Sequence, residues 1–221
     1  MVMYSSKAIV LATALAAVPG LAAAQDWDGF YGGLTLGYAA GDADHSFSNG
    51  APDGNSEPDG ALFGGFVGYG YQNGNTVWGG EIDAEASEFS GSFEDTSGFT
   101  SAGEIDGEWQ GSIRAIFGYA SQLGGRPALF YGTAGYALGQ FDFYGGPTGG
   151  PLEDGYDEQM EGSTVGVGMD WRFAPQSALR AEYRYTDFGK AKGDLEPGFG
   201  GVEMPVEVTQ SAIRIGVRFD F

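Results

Sequence analysis

Eight stretches of this chain alternate between apolar residues and small, polar or charged ones, with a period of two. The clearest is the last, 211–221. Ser211, Ile213, Ile215, Val217, Phe219 and Phe221 form one row; Ala212, Arg214, Gly216, Arg218 and Asp220 form the other. Successive side chains of a strand point to opposite faces, so this stretch predicts a strand with one apolar face and one charged or tiny face. In 163–173, Val165, Val167, Met169, Trp171 and Phe173 oppose Asp170 and Arg172. In 178–186, Leu179, Ala181, Tyr183 and Tyr185 oppose Arg180, Glu182 and Arg184. In 76–87, Trp78, Ile82, Ala84 and Ala86 oppose Glu81, Asp83 and Glu85. In 109–120, Trp109, Ile113, Phe117 and Tyr119 oppose Gln110, Ser112 and Arg114. The stretches 30–40, 61–71 and 128–140 alternate more weakly, through many glycines, and 128–140 carries apolar side chains on both rows.

No stretch carries charge on both of its rows. Three carboxylates in a row need cationic neighbours, and an antiparallel 109–120 sets Arg114 beside them. Collected over all strands, the charged rows hold Glu81, Asp83, Glu85, Asp170, Glu182 and Asp220 against Arg114, Arg172, Arg180, Arg184, Arg214 and Arg218. An apolar row opposite such charges fits either half of a soluble core or a lipid contact with the charges in a lumen. The connections favour the second setting. Long ones, at 42–59, 88–108, 141–162 and 187–207, are rich in Gly, Asp and Glu, and they alternate with short turns. Long loops outside and short turns in the periplasm are the pattern of outer-membrane barrels. The fold expected is therefore all-β: an eight-stranded antiparallel transmembrane β-barrel with four long acidic extracellular loops.

The first 24 residues stand apart. Lys7, the apolar run 8–18 and Ala22-Ala23-Ala24 read as an export signal cleaved between Ala24 and Gln25, leaving 25–221 as the barrel. No later run approaches the ~18 apolar residues of a membrane helix, and a spanning protein without one must close a barrel. The formal net charge of -20 argues against nucleic acid as a partner, since phosphate recognition needs clustered Lys and Arg. The absence of cysteine removes disulfide scaffolds and Cys-based zinc sites.

The chain resembles the small outer-membrane β-barrel proteins of Gram-negative bacteria, the opacity-protein and OmpA-like porin-family group. The resemblance rests on DWDGFYGGLTLGY (26–38), GGFVGYGYQ (64–72), SIRAIFGYA (112–120), LFYGTAGYALG (129–139), STVGVGMDWRF (163–173), LRAEYRYTDFG (179–189) and IRIGVRFDF (213–221). It implies eight strands, residence among outer-membrane lipid and lipopolysaccharide, and delivery by periplasmic chaperones. It also implies an assembly signal at Phe219 and Phe221 for the barrel-assembly machinery. The chain departs from the group at Ile116, where a second alternating Arg often stands.

The charges could line an ion path, making a small porin. An eight-stranded barrel is only just wide enough for its side chains, which favours a plugged interior. Glu153, Asp154, Asp157, Glu158 and Glu161 form the densest acidic cluster, but their spacing matches no EF-hand loop, and no cofactor is expected. His45, with Ser46 and Ser48, has no third group to orient a nucleophile–base pair, so an enzyme is not expected. The aromatics Phe89, Phe93, Phe99, Phe141, Phe143, Tyr144, Tyr156 and Phe199 anchor an extracellular partner, whose identity is open, or pack the long loops on themselves, or belong to strands continuing above the membrane.

Overall fold

The computed structural model describes residues 27–45, 54–95, 101–147, 154–194 and 203–221. Expectations that fall on 1–26, including the Ala24–Gln25 cleavage site, lie outside the described residues. The strands are β1 (Gly29–His45), β2 (Gly54–Ser56), β3 (Asp59–Asn73), β4 (Thr76–Asp95), β5 (Ser101–Leu123), β6 (Arg126–Pro147), β7 (Asp154–Ala174), β8 (Ser177–Asp194) and β9 (Glu203–Asp220). Eight of them pair antiparallel with their neighbours, and β1 pairs β9 from Tyr31↔Asp220 to His45↔Val206, which closes the barrel. Among the described residues, the three-residue β2 pairs with the far end of β1.

The strand faces follow the alternation. Phe30, Leu34, Leu36, Val67, Ile82, Ile113, Phe117, Val167, Ile213 and Ile215 are exposed on the outer wall, while Glu81, Asp83, Glu85, Arg114, Arg180 and Arg214 are buried inside. A continuous exposed apolar wall of this kind is a lipid contact, not a water contact. Aromatic side chains ring the short-turn end, with Tyr71–Trp78 centroids 5.2 Å apart and Phe30–Tyr69 4.9 Å apart. The β5–β6 turn has Gly124 and Gly125 both at positive φ (61 and 76°), the mirror-image turn that matches strand twist.

The strands run well beyond the expected lengths. Much of 42–59, 88–108, 141–162 and 187–207 is strand rather than loop, and the connections between these extensions lie outside the described residues. A spanning strand needs about 9–11 residues, whereas β5 has 23. At ~3.4 Å per residue and ~45° tilt, β5 rises about 55 Å, roughly twice the ~25 Å apolar band.

Polarity inverts where the extension begins. Its outer face carries Asp42, Asp59, Glu88, Asp106, Glu108, Asp142, Asp157 and Glu161, and its inner face buries Phe89, Ile105, Phe141, Phe143, Met160, Phe188, Val206 and Val208. Above the bilayer the outer wall meets water and the interior becomes an ordinary apolar core. On β5 the inversion needs a change of phase. A register shift between Gly107 and Trp109 leaves both Glu108 and Trp109 exposed and turns Gly107 and Ile105 inward. On β8, Gly189 at φ 76° does the same between Phe188 and Ala191. Sequence periodicity breaks at these two bulges, whereas 141–162 keeps its period and reads as a loop because it is rich in Gly, Pro and acidic residues.

Candidate functional site: the charged barrel interior

Glycine makes room for this interior. A Cβ at Gly68 would stand 2.5 Å from the Tyr31 ring, and one at Gly168 would stand 2.5 Å from the Tyr131 ring. Both tyrosines therefore lie flat across a neighbouring strand and narrow the lumen from opposite walls.

Within the apolar band the lumen holds six acids and six bases. Arg114 on β5 reaches three carboxylates. Its Nε donates to Asp83 Oδ2 at 3.1 Å, its Nη1 to Glu182 Oε1 at 3.0 Å, and its Nη2 to Glu81. Arg180 binds both oxygens of Asp170, at 2.8 and 3.0 Å, and donates to Glu81 Oε2 at 2.8 Å. Arg184 joins Asp83 at 3.0 Å to Glu182 at 2.8 Å. Arg214 faces Glu182 in register but reaches across the lumen to Glu85, with Nε–Oε1 and Nη2–Oε2 both at 2.8 Å. Gln110 Nε2 donates to the same carboxylate at 2.9 Å. Paired and hydrogen-bonded from several strands, these charges tolerate burial that no isolated charge would.

The short-turn end is closed differently. Trp27, only 1% exposed, lies inside the mouth against Arg172 (4.3 Å from guanidinium to ring) and Arg218 (5.0 Å). Its backbone N–H donates to Gln72 Oε1 at 2.7 Å. Arg218 donates to Asp170 at 3.1 Å and to Asp220 at 2.8 Å, and Arg172 pairs with Asp220 at 2.9 Å. Trp27 carries no charge and precedes the alternating row, so strand periodicity did not select it. Ile116 is buried with Trp27, Tyr31, Phe66 and Tyr131, so the lumen wall is apolar at that level.

The far end is capped by the apolar cluster of the extension. Phe141 packs at 5.1 Å on Phe188 and at 6.5 Å on both Phe89 and Phe143. Of the aromatics with described side chains, Phe89, Phe141 and Phe143 thus pack inside and Tyr144 is exposed. Phe188 was legible from parity: it continues the inward row of Arg180, Glu182, Arg184 and Thr186. Between mouth and cap, two cavities lined by charged groups among the described residues hold about 10 Å³ each, room for roughly one water.

The other candidates are not brought together. His45 ends β1, and its side chain lies outside the described residues, as do Ser46 and Ser48. On β7, Asp157 and Glu161 face outward while Glu158 pairs in register with inward Phe141, so alternation divides the acidic cluster. Asp106, Asp142 and Asp157 instead stand side by side across β5, β6 and β7. There, partial burial, together with Glu108 and Asp157, pushes the Asp142 carboxyl up to about 6. Phe219 and Phe221 lie on the outer wall, and the Phe221 N–H donates to Phe30 O at 3.0 Å.

Residues 8–221 match the family model for the outer membrane protein beta-barrel domain. The 31 kDa outer-membrane immunogenic protein of Brucella melitensis is 32% identical over 208 residues, covering 88% of this chain and 84% of that one. The 22 kDa outer membrane protein of Rhizobium leguminosarum is 31% identical over 205 residues, covering 89% and 80%. Among solved structures, the outer membrane protein OprG of Pseudomonas aeruginosa superposes with a TM-score of 0.56 at 15% identity, over 88% of this chain and 96% of that one.

Proposed function

Because the chain belongs to the outer-membrane β-barrel protein family, we propose that it serves as a closed, non-conducting anchor that presents a rigid acidic extension at the cell surface. It resides in the outer membrane, among that membrane's lipid and lipopolysaccharide. The observation that carries the reading is the filled interior: among the described residues, two cavities within the charge network hold about 10 Å³ each, with Trp27 below and Phe141 above. A conduit needs a continuous polar path, and here Arg side chains are consumed by pairing with carboxylates. The role is structural and surface-interacting, without catalysis.

In this reading the short turns and both chain ends face the periplasm, and the extension faces outward. Export proceeds through a signal at 1–24, cleaved between Ala24 and Gln25. Periplasmic chaperones and the barrel-assembly machinery then receive the chain, with Phe219 and Phe221 as the assembly signal. The Brucella relatives are named outer-membrane immunogenic proteins, and an outward extension would give this chain a surface open to recognition from outside the cell.

Planar-bilayer recording of the refolded protein tests the closed lumen, with no discrete openings expected. Reproducible single-channel steps from the unvaried protein would overturn it. Protease added to intact cells should cut within 88–108 or 141–162 and leave the short turns intact.

A further inference from the structure

The outer wall is not uniformly convex. An apolar groove of about 850 Å³ crosses β7, β8, β9 and β1 inside the apolar band. Its floor is made by one small side chain. Ala181 stands in register between Met169 on β7 and Ile215 on β9, and Ile215 pairs with Leu36 on β1. Larger side chains on both sides make the walls. The volume falls within the range of small-ligand sites, and Leu34, Leu36, Leu179, Ile215 and Val217 give it an apolar lining.

The groove ends at the short-turn rim, and the rim is built. Trp171, which lines it, donates its indole N–H to Leu123 O at 3.1 Å, so the β5–β6 turn is tied to the β7 wall. Arg126, directly after that turn, lies 5.4 Å from the Trp171 ring and donates Nη1 to Phe173 O at 2.8 Å. One of the five guanidinium N–H donors is thereby fixed, which orients the rest at the groove mouth. Among the described residues, Arg126 is the cation on the outer wall at this end, in a chain of net charge -20.

We propose that this groove and Arg126 form a site for one glycerophospholipid of the leaflet at the short-turn end, with an acyl chain over Ala181 and its phosphate on Arg126. The groove is continuous with the lipid contact of the wall, and the charge at its mouth complements a phosphate. A second copy of the chain fits less well, since among the described residues its apolar band presents no outward carboxylate and Asp28, at the short-turn rim, already accepts from the Gln72 N–H. Arg favours phosphate through paired, charge-assisted hydrogen bonds. The proposal rests on the membrane-spanning reading above.

Native mass spectrometry of the refolded full chain, with dioleoylphosphatidylglycerol added, tests it. One lipid retained per barrel is expected, with dioleoylglycerol retained about tenfold less, as loss of a charge-assisted contact implies. Arg126→Ala should reduce retention about tenfold and Arg126→Lys much less. Ala181→Trp, which fills the floor, should abolish it, whereas Ile113→Trp on another part of the wall should not. Equal retention by all variants overturns the site, as does a barrel dimer that Ala181→Trp disrupts in place of a lipid adduct. Insertion into vesicles without any retained lipid also overturns the site alone. Failure of the unvaried protein to insert overturns the membrane reading beneath it.

Discussion

Arg214 gives the sharpest test of the interior, because its charge is met by a single carboxylate. The guanidinium holds Glu85 through two bonds at 2.8 Å, and Arg214 and Glu85 are 1% and 3% exposed. Replacing Arg214 by Met keeps the apolar stem and leaves Glu85 with only Gln110 at 2.9 Å and a long contact from Thr35 at 3.4 Å. Breaking a buried pair costs about 3–5 kcal/mol. One guanidinium nitrogen, Nη1, has no protein partner in the parent. Removing that unsatisfied donor returns about 1 kcal/mol or more, so a net loss near 3 kcal/mol is expected. Glu85→Leu alone should lose a similar amount by stranding the arginine. The double variant should lie within about 1 kcal/mol of the parent, since an apolar replacement of a buried pair is often neutral. Urea titration in lipid vesicles, following the compact species on unheated gels, gives the four stabilities. Single variants equal to the parent, or a double variant as unstable as the sum of the singles, would refute the coupling.

Trp27→Ala should cost about 3–5 kcal/mol, the range for emptying a buried aromatic site, and Trp27→Phe should recover most of it in the same titration. Gly168→Ala should cost about 1–3 kcal/mol, because the new methyl group meets the Tyr131 ring, whose hydroxyl donates to Glu182 at 3.1 Å; a parent-like midpoint would show that the ring moves freely. The Asp142 carboxyl, pushed up to about 6, holds a proton in the folded state that the unfolded chain releases. The extension should therefore gain stability as pH falls from above 6 toward 4, and lose it as pH rises through 6. Amide hydrogen exchange in the outer halves of β5, β6 and β7 should show this slope, and Asp142→Asn should flatten it.

Local alternation set the strand faces, and the alternating long and short connections with the export signal pointed to the membrane barrel. Strand faces are set by a period of two, and lipid outside with charge inside stamps that period on the sequence. So Arg214 and Ile215 could be assigned to opposite faces before any contact was known. Three things needed the tertiary structure. Partners across the lumen depend on barrel closure: Arg214 faces Glu182 in register yet binds Glu85, on a strand 129 residues away. The full lengths of β5 and β8 lie beyond bulges at Glu108 and Gly189, which shift the phase and hide the continuing period. The seating of Trp27 depends on β3, β7 and β9 meeting at one mouth, where Gln72, Arg172 and Arg218 converge on it. Sequence fixes a side chain's face through neighbours one and two residues away. What stands opposite that face is decided only when the eight strands close.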